Sequence, residues 1–264
     1  MLVPIERIYN RKDYGISSED FKGADVWHNY ECNFLLDNGF PVNFVGKLIV
    51  PSWTEFFIES KSMKLYFFSL QSKKFGPSLS EAMQNYEELV KNDISAKIGA
   101  PVEFKLFNYQ CNTGPIGRLF TDITEYFDYE NLKFENYKES PDLLESDGAG
   151  AVSCIFKGFR SNCRVTHQPD FANTLIYMCG ESVPTKESLA RYLVSFRNEF
   201  HFHEEVTEQI YTALNRKFKP QKILVVNLFT RRGGLDICPV RYNSIDFEAF
   251  ILDPFVLTNP TIYQ

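Results

Sequence analysis

Four short stretches of the chain concentrate side chains that can do chemistry. FRSNCRVTHQPD (159–170) sets Cys163 close to Arg160 and Arg164, with Asp170 seven residues on, after Pro169. Neighbouring cations favour the thiolate, which is the nucleophilic form of cysteine. Pro169 restricts the local chain, so Asp170 can be held near the sulfur as a proton donor or acceptor. A structural cysteine packed at a turn has the same local appearance. NEFHFHEE (198–205) alternates His201 and His203 with Phe200 and Phe202, then adds Glu204 and Glu205. A His-Glu pair at a helix start offers a proton carrier and a carboxylate within one turn. An amphipathic helix start with solvated acids accounts for the same letters. A zinc deaminase would need H-x-E with P-C-x-x-C, and a zinc protease HExxH; neither pattern occurs.

ESKSMKLYF (59–67) places Lys61 and Lys64 one helical turn apart, a spacing that grips a phosphate or covers a solvated face. TRRGGLDI (230–237) sets Arg231 and Arg232 beside two glycines. Two guanidiniums and a close backbone approach suit a phosphate; a bulge or edge turn explains the glycines equally well. No G-x-G-x-x-G and no P-loop is present, so a nucleotide is not held by those devices.

These groups need a scaffold. The first 20 or so residues are polar and read as an arm. Residues 25–36 and 42–50 are β-branched and aromatic around Asp37-Asn38-Gly39, which predicts two strands and a turn. Ser78-Leu79-Ser80-Glu81 is a capping box that opens a helix through Ala82, Tyr86 and Val90. VEFKLF (102–107) is at strand spacing, and KESPDLLESDGAG (138–150) reads as a linker. The same order then recurs: strands at 151–159 and 171–179, helices carrying Leu189 to Phe196 and Val206 to Leu214, and a strand at 222–229. Shifted by 126 positions, Ser62-Met63 faces Ser188-Leu189 and Tyr66 faces Tyr192; shifted by 122, VEFKLF faces LVVNLF. An old duplication, each half strand–strand–helix–helix–strand–strand, predicts an α+β fold of antiparallel sheets, each covered on one face by helices. Pairing exposed sheet edges between subunits would protect them.

Composition narrows the function further. The 264 residues are 44% hydrophobic, 23% charged and 16% aromatic, with 25 Phe and 14 Tyr, so ring packing dominates the core. A net charge of −6 argues against a protein that coats nucleic acid. No apolar run approaches the length of a membrane span, and the start lacks a signal-peptide pattern. The six cysteines form no CxxC pair and read as free thiols of a cytoplasmic protein.

Taken together, ESKSMKLYF, SNCRVTHQPDF, SFRNEFHFHE and TRRGGLDI closely resemble the QueF family, the NADPH-dependent 7-cyano-7-deazaguanine reductases, in the long, two-module form. The resemblance runs from about Asp25 to about Arg241. It implies tandem tunnelling-fold (T-fold) modules, here 1–140 with the E-S-K motif and 141–264 with the catalytic set, and a homodimer. It implies four-electron reduction of a nitrile to a primary amine in queuosine-type metabolism, with NADPH as cofactor and no metal. By position, Cys163 forms a covalent thioimide with the nitrile carbon and Asp170 protonates the nitrogen. His203 is the later proton donor and helps hold the substrate. Glu204 accepts the paired N–H donors of the guanine-like edge, with Glu59 assisting. Ser60, Lys61, Arg231 and Arg232 are the matching NADPH residues. The partner is the small molecule 7-cyano-7-deazaguanine, without direct contact to nucleic acid or membrane. A Cys-dependent nitrile or amidine hydrolase and a non-catalytic deazapurine-binding protein are the alternatives. One departure stands out: family members commonly carry His four residues before the catalytic one, where this chain has Glu199, and His201 follows two residues later.

Overall fold

The computed structural model describes residues 2–107, 120–128, 130 and 132–248. Two compact units emerge, and neither is one continuous stretch. One gathers Met1–Gly15, Ala24–Asn112 and Arg231–Ile237; the other gathers Ile16–Gly23, Thr113–Thr230 and Cys238–Gln264. Cys111 lies outside the described residues.

The first unit begins with β1 (Pro4–Glu6) and α1 (Ile8–Asp13), continues through most of β2 (Lys22–Leu35), and then β3 (Pro41–Pro51) and β4 (Phe56–Ile58). Helices α2 (Ser60–Leu70) and α3 (Leu79–Ile98) precede β5 (Glu103–Phe107). Strands run in the order β5-β3-β2, antiparallel, with Trp27 opposite Leu48 and Leu48 opposite Phe104. The expected cap holds: Ser78 accepts from the Glu81 amide at 3.3 Å, and Gly99 closes α3 in the left-handed region at φ 70°. One face of the sheet buries Trp27, Phe34, Leu48 and Phe104 against Met63, Tyr86, Val90 and Ile94 of the helices. Phe34 stacks on Tyr86 with centroids 4.8 Å apart. Gly46 admits the Phe104 ring, since a Cβ there would lie 2.5 Å from it.

The N-terminal segment is not the polar arm its letters predicted. β1 pairs with β4, Arg7 forms a buried ion pair with Asp25, and Arg11 donates to the Ser52 carbonyl at 2.6 Å. Polar residues are buried here because each guanidinium finds a buried acceptor, which a sequence window cannot reveal.

The second unit holds β6 (Thr121–Asp122), β7 (Gly150–Cys163), β8 (Pro169–Gly180), α4 (Lys186–Val194), β9 (Phe200–His201), α5 (His203–Phe218), β10 (Lys222–Phe229) and the later part of β11 (Leu235–Tyr242). Its order is β11-β10-β8-β7-β6, antiparallel except where β6 and β9 run parallel to β7. Leu189, Tyr192, Leu193, Val206, Ile210 and Leu214 are all buried, as their helical spacing predicted. Residues 138–150 are less of a linker than expected: Pro141–Leu143 forms a 3-10 turn and Leu144 is buried. The molecule is thus α+β, with antiparallel sheets and helices packed on them, as the tunnelling-fold resemblance implied. Among the described residues, no helix is long and apolar enough to cross a membrane.

Candidate active site

In the second unit, β7 and β8 form a hairpin whose tip carries Cys163. The Cys163 amide donates to the Gln168 carbonyl at 2.8 Å, and the His167 amide returns to the Cys163 carbonyl at 2.9 Å. His167 adopts φ 58°, a left-handed conformation that the tight reversal requires. Cys163 is therefore held at the strand end, half-buried. Antiparallel register sets Ser161 opposite Asp170 and Asn162 opposite Pro169, so the nucleophile candidate and Asp170 share one end of the sheet. Beside them, β9 runs parallel to β7 with His201 opposite Cys163.

Asn162 fastens the segment that leads into α5. Its amide donates to the Glu199 carbonyl at 2.8 Å, and its side chain donates to the Arg197 and Glu199 carbonyls at 3.0 and 3.2 Å. Helix α5 then starts at His203, and Glu205 accepts from the Phe202 amide at 3.0 Å. A buried relay ties that first turn to the sheet: Thr174 Oγ1 donates to Asn227 (2.6 Å), Asn227 Nδ2 to Thr207 Oγ1 (2.8 Å), and Thr207 Oγ1 to the His203 carbonyl (3.0 Å).

Held this way, His203 brings Nε2 to 3.4 Å from Asp170 Oδ2. Its ring lies nearly parallel on Phe229, with centroids 3.8 Å apart and planes at 10°. Nδ1 is buried with no hydrogen-bond partner. The Asp170 carboxylate lies on the Nε2 side, whereas a proton on Nδ1 would find no acceptor, so the neutral ring favours Nε2–H and keeps a lone pair on Nδ1. Glu204, next along α5, is buried.

Arg160 and Arg164 have other partners besides any influence on the sulfur. Arg164 pairs with Glu205 Oε1 at 3.2 Å, and Arg160 donates to Asn162 Oδ1 at 3.0 Å. Behind the hairpin, His201 lies 3.6 Å from both Glu199 Oε2 and Glu205 Oε2. Glu199 also accepts from the Glu139 amide at 3.0 Å. Burial pushes the Glu139 carboxyl above the usual range, opposed by the Tyr192 hydroxyl and reinforced by Glu199.

Glu59, Ser60, Lys61, Arg231 and Arg232 belong to the first unit. Glu59 caps α2, taking the Lys61 amide at 3.0 Å and the Ser62 amide at 2.8 Å, so both of its oxygens are engaged locally. Lys61 is half-exposed and 3.6 Å from Glu59. Arg231 lies over the Tyr30 ring at 4.7 Å. The structure thus gathers Cys163, Asp170, His203 and Glu204 in one unit, and the E-S-K and R-R-G-G elements in the other.

Two family models match the chain: "Nitrile reductase, 7-cyano-7-deazaguanine-reductase N-term" over residues 1–106 and "QueF-like protein" over residues 169–246. The NADPH-dependent 7-cyano-7-deazaguanine reductase of Acinetobacter baumannii (strain SDF) is 35% identical over 93% of this chain and 88% of its own length. That of Buchnera aphidicola subsp. Schizaphis graminum (strain Sg) is 34% identical over 95% and 94%. The chain belongs to the family of NADPH-dependent 7-cyano-7-deazaguanine reductases.

The matched stretches of this reductase family cover every site candidate except Cys163, which lies six residues before the second stretch begins. A solved structure, the archaeosine synthase QueF-Like in the apo form, is 15% identical with a TM-score of 0.32 over 38% of this chain and 96% of its own. Sequence reasoning missed Phe229, read only as a strand residue; a ring 26 positions from His203 leaves no local signal. It also missed the Thr174–Asn227–Thr207 relay, whose polar letters inside apolar strand and helix patterns were the available clue.

Proposed function

We propose that this chain is an NADPH-dependent 7-cyano-7-deazaguanine reductase that works through a covalent thioimide on Cys163. The observation that carries this reading is the approach of His203 to Asp170 at 3.4 Å, at the sheet end where the 163–168 turn holds Cys163. A nitrile carbon accepts hydride poorly until a nucleophile adds to it. The Cys163 thiolate forms the carbon–sulfur bond, the displaced π pair moves to nitrogen, and Asp170 delivers a proton there. NADPH would supply two hydrides when bound; the carbon–sulfur bond breaks between the two additions and returns the Cys163 thiolate, and the Asp170 proton plus one later proton complete the four-electron reduction to the aminomethyl group. His203 is the later proton donor, its ring aimed by Asp170 and Phe229.

Glu204 accepts the two parallel N–H donors of the substrate edge. Such charge-assisted bonds are worth about 1.5–3 kcal/mol each, and a base without those donors would forgo both. Glu59 assists in holding the substrate. Ser60, Lys61, Arg231 and Arg232 hold the cofactor. The R-R-G-G turn suits cofactor binding. Gly233 and Gly234 have φ 56° and 74°, and added Cβ atoms would meet Lys64 and Glu31 at 3.3 and 2.6 Å, so only glycines let the turn pack on these two side chains while it presents Arg231 and Arg232. We assign residues 1–140 and 141–264 as the two sequence modules of a homodimer subunit; the compact units depart from this division at Ile16–Gly23, residues 113–140 and Arg231–Ile237. The unbridged Cys32, Cys154, Cys163, Cys179 and Cys238 suit the reducing cytoplasm.

Mass spectrometry of the reduced protein with 7-cyano-7-deazaguanine tests this reading. The expected result is an adduct on Cys163 without NADPH, its conversion to free amine when NADPH is added, and neither event in Cys163→Ala. Product released without cofactor would point to a hydrolase instead, and binding without an adduct would reduce the protein to a carrier.

A further inference from the structure

The first unit carries a cavity of about 290 Å³ lined by Tyr30, Asn43, Phe44, Val45 and Arg231. That volume lies at the small end for ligand sites and suits one ring system with its substituents. Its walls are fixed from beneath. The Tyr30 hydroxyl donates to Asp236 Oδ2 at 2.8 Å, and Asp236 Oδ1 takes the His28 amide at 3.1 Å and lies 2.7 Å from His28 Nδ1. His28 and Asp236 are fully buried. The Tyr30 edge is thereby anchored, and its face carries the Arg231 guanidinium 4.7 Å from the ring centroid. A guanidinium stacked on one aromatic face presents its opposite face to a second ring and its in-plane N–H donors to an anion. The turn following Arg231 rests on Lys64, whose Cδ and Nζ would lie 3.3 and 3.9 Å from a Cβ on Gly233. The cavity thus combines an arginine, two aromatic rings and an exposed amide, while Lys64 and the Glu31 carboxylate pack on the two glycines of the turn that carries Arg231.

We propose that this cavity seats the adenosine 2′-phosphate end of NADPH, with Arg231 and Lys64 at the 2′-phosphate and adenine against Phe44 and the Arg231–Tyr30 stack. This rests on the reductase reading above and adds to it Tyr30, Asn43, Phe44 and Lys64, and a cause for preferring NADPH over NADH. None of the cavity walls is a residue assigned to the nitrile chemistry, so the cavity suits the non-reacting end of the cofactor.

Calorimetric titration of the full-length protein with adenosine 2′,5′-bisphosphate and, in parallel, with adenosine 5′-diphosphate tests the proposal. The bisphosphate should bind at least tenfold more tightly. Phe44→Ala and the exposed-site variant Asn43→Asp, which brings a like charge to the mouth without disturbing the core, should each weaken it at least tenfold, while the Cys163 adduct forms without NADPH as in the parent. If both variants bind the bisphosphate like the parent while the parent still oxidises NADPH, the cavity is not the seat and the reductase reading stands. A parent that never oxidises NADPH with the nitrile substrate overturns both.

Discussion

Replacing Phe229 by Leu should slow turnover while leaving the nucleophile competent. Phe229 is buried and presses its ring on His203 at 3.8 Å and 10°, and His203 Nδ1 has no hydrogen bond to hold the imidazole plane. This stack and the 3.4 Å approach to Asp170 orient the ring. An aromatic pair of this kind is worth about 0.5–1.5 kcal/mol beyond its buried area. If that energy selects the productive ring orientation, its loss lowers the productive population by about 2- to 13-fold, and kcat by the same factor. The assay is steady-state NADPH oxidation across pH, paired with the extent of Cys163 adduct measured without cofactor. The expected result is a reduced kcat with an undiminished adduct, and 15N shifts of His203 showing more exchange between tautomers; with four histidines in the chain, that signal is assignable. Phe229→Tyr, which keeps a stacking ring, should retain more activity than Leu. A folded Leu variant with parental kcat and an unaltered imidazole signal would refute the argument.

Other consequences can be measured separately. Asn227→Leu removes the acceptor of the buried Thr174 hydroxyl and the donor to Thr207 Oγ1, which keeps its bond to the His203 carbonyl, and should cost about 1–3 kcal/mol in urea unfolding. Adding Thr174→Val to that variant should cost much less than it does alone, and strict additivity would show that the relay does not act as a unit. Glu139 has a raised carboxyl pKa, caused first by burial, so the native state keeps a proton that the unfolded chain gives up. Stability is then fully present below the ordinary glutamate range and falls as pH rises through the raised value. Glu139→Gln keeps an oxygen for the Tyr192 hydroxyl, so its advantage over the parent should be absent near pH 4 and grow toward neutrality; a pH-independent difference would contradict this. Burial pushes the Cys32 and Cys154 thiols up to about 12. Alkylation near pH 8 should therefore mark the half-buried Cys163 and Cys179 before Cys32 and Cys154, with substrate protecting Cys163 and not Cys179. Labelling of Cys32 or Cys154 ahead of Cys163 in native protein would overturn it.

Much of this molecule was legible in its letters because the relevant physics is local. Runs of β-branched and aromatic residues around Asp37-Asn38-Gly39 marked β2 and β3, the recurrence of the same order marked β7 and β8, and three- and four-residue spacing marked α3 and α5. Ser78 announced its cap, since capping couples residues only three apart. Cys163, Asp170, His203 and Glu204 were nameable from their motifs, as were the basic residues near Lys61 and Arg231.

Tertiary structure decided what depends on neighbours distant in sequence. Asp170 and His203 are 33 positions apart, and only the pairing of β7 with β8 and the fastening of residues 197–199 by Asn162 bring them within reach. His28 and Tyr30 meet Asp236 across more than 200 positions, so a buried acid that anchors a cavity wall left no trace in any window. The polar N-terminal segment likewise became interior once Arg7 and Arg11 found acceptors. Sequence windows register propensity and periodicity; the partner that makes a buried charge tolerable, or turns an imidazole toward its acid, is chosen by how strands register and helices pack.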